Sequence, residues 1–107
     1  KMLNTKLEVL EQRANILKNS IDNFIKCEVI KSFTMVGGGT TPNKKIPTIA
    51  LSLEYKNLKA NEIEKILRKN LIISRIENDK VLLDFRTIQE KDITTIEEIL
   101  KKEFKNV

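Results

Sequence analysis

Histidine and tryptophan are missing from this sequence altogether, and cysteine occurs once, at Cys27. Without histidine there is no His-dependent triad and no imidazole-ligated metal. A lone cysteine forms no intrachain disulfide and builds no thiolate cage, so no metal site is expected. Cys27 reads as a small, partly buried residue near a strand start rather than a reactive thiol. The scattered carboxylates offer no constellation for independent catalysis. No apolar run reaches the ~20 residues that cross a bilayer and no signal peptide is visible, which points to a cytoplasmic protein without a membrane partner. Aromatics are only 5% of the chain. Phe24, Phe33, Phe85 and Phe104 fall at apolar-periodic positions and are expected in the core, leaving Tyr55 as the one aromatic available for stacking on a base.

What remains is the composition of a single folded domain. The 107 residues are 40% hydrophobic and 33% charged, with a net charge of +5. That is ordinary for one compact body with one core. The basic excess is mild, and Lys and Glu alternate along the helical stretches rather than clustering. It permits an anionic partner without demanding one. The chain opens on lysine rather than methionine, as expected of a segment of a larger protein.

Residues 4 to 25, with Leu3 just before them, carry Leu7, Leu10, Ala14, Leu17, Ile21 and Phe24 so that the apolar residues recur at alternating steps of four and three, the mark of one long amphipathic helix. At about 1.5 Å per residue it would be over about 30 Å long and would link this domain to a neighbouring body, with residues 1–26 as the linking helix and 27–107 as the domain proper. Val9 and Ile16 give it a second apolar flank. Residues 28–35 and 48–54 read as strands, the second with Ile49, Leu51 and Leu53 on one face. Residues 61–69 form a short helix burying Ile63, Ile66 and Leu67, capped by Asn61 and stopped at Asn70. Residues 71–86 read as a hairpin around the polar turn Glu77-Asn78-Asp79-Lys80. A last helix runs from about 92 to 105, capped by Asp92, with Ile93, Ile96, Ile99 and Leu100 inward. The order α-β-β-α-β-β-α predicts an α+β two-layer domain, a roughly four-stranded, mainly antiparallel sheet covered by helices.

All three glycines stand together in "TMVGGGTTPNKKIP", residues 34–47, with both prolines just downstream. Consecutive glycines let backbone N–H groups approach a ligand or neighbouring chain where a side chain would collide. No Gly-Lys-Ser/Thr end follows and no helix opens directly after, so neither a Walker loop nor a dinucleotide fingerprint is present. The stretch "VGGGTTPNKKIPTIALSL" resembles the C-terminal part of the bacterial selenocysteine synthase family, the L-seryl-tRNA(Sec) selenium transferases. The resemblance runs through Gly37-Gly38-Gly39-Thr40, Pro42, Ile46-Pro47-Thr48 and Ala50-Leu51, and again through Leu83-Asp84-Phe85-Arg86. It departs at Thr40-Thr41, where the family more often has Ser-Leu.

This resemblance implies the small C-terminal domain of a pyridoxal-phosphate enzyme of the aspartate aminotransferase-like group. The cofactor lysine would lie in a large domain of the same chain, outside these residues, so the isolated chain would be inactive and would not bind pyridoxal 5'-phosphate. The full enzyme would convert seryl-tRNA(Sec) to selenocysteinyl-tRNA(Sec) with selenophosphate, using the cofactor as electron sink, and would assemble as a homo-oligomer. Arg86 is implied to bind substrate, a guanidinium fork suiting a carboxylate, and Gly37, Gly38, Gly39 and Thr40 are implied near the active-site mouth. The competing reading for Arg86 is a pair with Asp84 at an i, i+2 spacing. Lys44, Lys45, Lys65, Arg68 and Lys69 are candidate tRNA contacts, with Lys101, Lys102 and Lys105 behind them. Two other readings stay open: the small domain of a related pyridoxal-phosphate lyase, and a free-standing RNA-binding or association module using the Leu3-to-Phe24 stripe.

Overall fold

The computed structural model describes residues 6–36 and 44–105. Its elements are α1 (Leu7–Ile21), β1 (Lys26–Val36), β2 (Lys44–Glu54), α2 (Ala60–Lys69), β3 (Arg75–Glu77), β4 (Lys80–Asp84) and α3 (Glu90–Leu100), and a π-helical turn over Lys101–Lys105 prolongs α3. The order is the expected α-β-β-α-β-β-α. The four strands form one antiparallel sheet in the spatial order β1-β2-β4-β3.

The helices cover one face of this sheet. Leu10, Ala14, Leu17 and Ile21 of α1 are fully buried and pack with Ile49, Leu51 and Leu53 of β2. Ile63 and Leu67 of α2, Val81 and Leu83 of β4, and Ile93, Ile96 and Leu100 of α3 complete the same core. Burying a leucine of this kind contributes roughly 1.5–3 kcal/mol, so the α1 stripe alone accounts for several kcal/mol. Leu10, Ala14, Leu17 and Ile21 are used inside the domain, while Leu3 lies outside the described residues. What stays exposed on α1 is Leu7, Val9 and Ile16.

Several boundaries differ from expectation, each for a local reason. The first helix stops at Ile21, and Phe24 and Ile25 turn back with their N–H groups on the Ile21 carbonyl, at 3.1 and 3.0 Å. Ile25 is buried and Phe24 packs on the core from that turn, mimicking helical periodicity. β1 and β2 are longer than predicted and pair from Lys26↔Glu54 to Val36↔Lys44, so only 37–43 separates them. The expected caps shift: Glu62 reaches back to the Lys59 N–H (2.9 Å) and Asp92 to the Gln89 N–H (3.1 Å), so Asn61 and Asp92 are not the N-caps. Such a reach-back from the third helical residue satisfies a donor that the helix itself leaves open. Phe33 is 51% exposed, not core, while Tyr55 is buried with its hydroxyl donating to the Phe104 carbonyl at 2.6 Å.

The predicted hairpin is real but shorter. Its turn residues Asn78 and Asp79 both have positive φ (54° and 63°), the pattern of a tight two-residue connection, and β3 is only Arg75–Glu77. Leu71 to Ser74 are not strand, and α2 uses the first two of them to stop. The N–H of Ile72 reaches the Leu67 carbonyl (2.9 Å) and that of Leu71 the Arg68 carbonyl (3.0 Å). This is a Schellman closure with Leu71 in the left-handed position (φ 66°) that glycine usually fills.

Candidate functional site

The site forms where β4 ends. Asp84 pairs with Ala50 of β2 and is almost fully buried. A buried carboxylate needs its oxygens occupied by donors. Here Oδ1 accepts from the Thr48 hydroxyl (2.7 Å) and from the Arg86 backbone N–H (2.9 Å), and Oδ2 accepts from Nη1 of Arg75 (2.7 Å). The bond to the N–H two residues on is an Asx turn, and it bends the chain off the sheet. The Asp84 carbonyl finishes the bend by accepting from the N–H groups of Thr87 and Ile88 and from the Thr87 hydroxyl (3.2, 3.1 and 2.9 Å).

That bend places Arg86. The ladder between β2 and β4 continues only as far as the Phe85 N–H on the Ile49 carbonyl (3.0 Å). Two residues back along β2, the Pro47 carbonyl points to the same side, where β4 has already left. Arg86 fills the gap: its Nε donates to the Pro47 carbonyl at 3.1 Å and its Nη2 to the same oxygen. Proline is tolerated at 47 for the same reason, since the N–H it lacks would have faced the departed strand. Arg86 is 5% exposed.

The Arg75 guanidinium closes the cluster from β3. Besides Asp84 it donates to Glu77 (2.7 Å), to the Ser32 hydroxyl (2.8 Å) and to the Phe33 carbonyl (3.0 Å). Burial alone would pull its pKa down, but the bonds to Asp84 and Glu77 outweigh this and hold it above its ordinary value. One guanidinium, that of Arg75, and one backbone N–H, that of Arg86, thus meet on the buried Asp84 carboxylate.

Two sequence-predicted motifs meet here: Thr48 and Pro47 of "IPT" bond Asp84 and Arg86 of "LDFR". Gly37, Gly38, Gly39 and Thr40 lie outside the described residues. Lys44 and Lys45 open β2, opposite Val36 and Met35. The α2 cations are exposed, but Arg68 is engaged by Glu64 and Lys69 by Glu103 at 3.6 Å. Lys101 pairs with Glu97 at 2.7 Å. Cys27 is half-buried, and burial with the nearby Asp22 charge pushes its thiol pKa up, away from reactivity. Sequence reasoning missed Arg75 and Ser32. The one available signal was a solitary arginine inside the apolar run "LIISRI", which on an edge strand also reads as a solvated residue.

The L-seryl-tRNA selenium transferase family profile matches residues 1–89. The L-seryl-tRNA(Sec) selenium transferase of Aliarcobacter butzleri is 76% identical over 99% of this chain and 24% of its own length. That of Sulfurimonas denitrificans is 47% identical over 95% of the chain and 23% of its own length. That of Alkaliphilus metalliredigens is 39% identical over 94% and 23%. The chain therefore spans about a quarter of the length of the curated relatives it matches.

Proposed function

The chain belongs to the L-seryl-tRNA selenium transferase family, and from that membership we propose that it is the small C-terminal domain of a pyridoxal-phosphate enzyme that converts seryl-tRNA(Sec) to selenocysteinyl-tRNA(Sec) with selenophosphate. The observation that carries the reading is the bonded junction of the two family-like motifs at Asp84 and Arg86.

The cofactor does not fit these residues alone. A Schiff-base lysine is enclosed and desolvated so that its amine loses its proton readily. Among the residues whose side-chain burial is described, every lysine is exposed or partly exposed, and the buried polar side chains are Thr48, Ser52, Asp84 and Arg86. The cofactor is accordingly assigned to the remainder of the enzyme, and this domain's share is substrate positioning.

Arg86 is the residue proposed for that share. In seryl-tRNA the serine carboxyl is esterified, so the guanidinium would meet the ester carbonyl, the terminal adenosine or a phosphate rather than a carboxylate. Its grip on the Pro47 carbonyl sets the position of the guanidinium, and Asp84 sets the position of its backbone. Gly37, Gly38, Gly39 and Thr40 are proposed to line the same mouth. Lys44, Lys45, Lys65, Arg68 and Lys69 are proposed to touch tRNA phosphates.

The test seats this chain in place of the matching region of the Aliarcobacter butzleri relative. The chimera is expected to form selenocysteinyl-tRNA from seryl-tRNA(Sec) and selenophosphate. Arg86→Lys, which loses the planar fork, is expected to lower kcat/KM by about tenfold or more with the fold intact. A chimera that holds its cofactor but makes no product sinks the reading, as does cofactor absorbance from the isolated chain. For the tRNA contacts, Lys65→Ala should reduce the salt dependence of tRNA binding by about one counterion.

A further inference from the structure

Two open grooves meet beside the Arg86 site. One, about 430 Å³, runs between the segment after α2 and α3, with Leu71, Ile73, Ile88 and Ile99 in its lining. The other, about 270 Å³, passes Phe33, Ile73 and Asp84. Ile73 and Thr87 line both, so the two grooves adjoin, with Asp92 also in the lining of the first and Arg75, Glu77 and Asp84 in that of the second. Their rim is unusual. Leu71 is 91% exposed and Ile73 86% exposed, and the half-exposed Phe33 lines the second groove with Ile73. The hydroxyl of Ser74, between Ile73 and Arg75, is buried without a hydrogen-bond partner among the described residues.

Leu71 is the informative residue. It holds the left-handed backbone that closes α2, a conformation that glycine adopts freely and a leucine resists. Its side chain gains nothing in return from this domain, being almost wholly in water. A bulky aliphatic residue in a glycine position, next to a second exposed aliphatic residue, is explained by an external body that buries both. Nucleic acid is a poor occupant. Residues 71–74 carry no charge in a chain that is one-third charged, and phosphate binding needs cations.

We infer that the Phe33–Leu71–Ile73 surface is the seat of the remaining body of the full-length enzyme. This rests on the reading of the chain as one domain of that enzyme. Two observations select this occupant. The curated relatives carry about three-quarters of their length outside the matched region, enough chain to supply a large body beside this domain. The second groove that Ile73 and Thr87 line also reaches Arg75 and Asp84, so whatever docks here lies beside the Arg75–Asp84 pair.

The test places a thiol at the rim, Ile73→Cys and separately Leu71→Cys, in the isolated chain and in the chimera with the Aliarcobacter butzleri relative. Alkylation is followed by peptide mass spectrometry and normalised to the urea-unfolded protein. The expected result is full reactivity in the isolated chain and at least about tenfold protection in the chimera, without tRNA and independent of concentration. Equal reactivity in both overturns the inference; if that chimera still makes selenocysteinyl-tRNA, the domain reading stands and only the docking surface falls. Protection in a chimera that makes no product leaves the docking surface standing and removes the proposed activity. Protection of the isolated chain that grows with its concentration identifies a second copy as occupant, and protection that requires tRNA identifies RNA. Either result overturns the assignment.

Discussion

Asp84 is where the residue scale matters most. Its carboxylate accepts from Thr48, Arg75 and the Arg86 N–H at once, so removing it strands a partly buried guanidinium and frees the bend after β4. Asp84→Ala is expected to destabilise the chain by about 2–4 kcal/mol, measured by urea unfolding. In a double-mutant cycle with Arg75→Ala, the two losses should fall short of additivity by about 1 kcal/mol, because each removes the same bond. Additive losses would mean that the Arg75–Asp84 contact contributes nothing. Leu71 makes the opposite prediction. Leu71→Gly relieves the left-handed strain and removes a side chain that buries little, so the isolated chain should gain about 0.5–1 kcal/mol. A lower midpoint would show that the leucine packs after all. At this scale the sequence was half legible. Thr48, Asp84 and Arg86 stood inside recognisable motifs, but Arg75 bonds Ser32 across 43 residues of sequence, and no local pattern announces such a contact.

At the scale of elements, legibility followed periodicity. The seven-residue spacing of the α1 stripe and the alternation along β2 come directly from burying one face, so both were readable. The run 71–74 was misread because β-branched residues look like strand wherever they occur, whereas the decisive fact was the way α2 closes on Leu71 and Ile72. Tyr55 was misread because its role depends on the chain's other end. The π-helical turn after α3 brings the Phe104 carbonyl within 2.6 Å of its hydroxyl, and the two rings meet edge to face at 4.9 Å. Tyr55→Phe keeps the ring contact and loses the hydrogen bond, leaving a buried carbonyl one acceptor bond short. The expected cost is about 1 kcal/mol, while Phe104→Ala, which empties a fully buried site, should cost about 3–5 kcal/mol. If both cost the same, the hydroxyl rather than the ring fixes the end of the chain.

Across the whole molecule the absence of histidine returns as a measurable property. No unperturbed side chain changes charge between about pH 5 and 8, and Cys27 is pushed upward, away from that window. The carboxylates behave differently. Glu97 is held below its ordinary pKa by its bond from Lys101, Glu103 by its bond from Asn70 and the charge of Lys69, and Glu64 by its bond from Arg68. A carboxyl with a depressed folded pKa stabilises the fold above its unfolded value, about 4.3, and loses that contribution as pH falls through the folded value. Between these limits the unfolded chain binds more protons than the folded one, so stability must decline toward acid. The thermal midpoint of the chain is therefore expected to be nearly flat from pH 8 to about 5 and to fall below about pH 4.5. Glu103 joins the last turn to Asn70, where α2 ends, so its loss separates two elements that are far apart in sequence. In Glu97→Gln/Glu103→Gln the neutral-pH midpoint should be lower and the acid decline shallower, the two curves converging near pH 3. Curves that stay parallel across the whole range would show that these pairs, all at the surface, do not couple protonation to folding, and that acid acts through other groups.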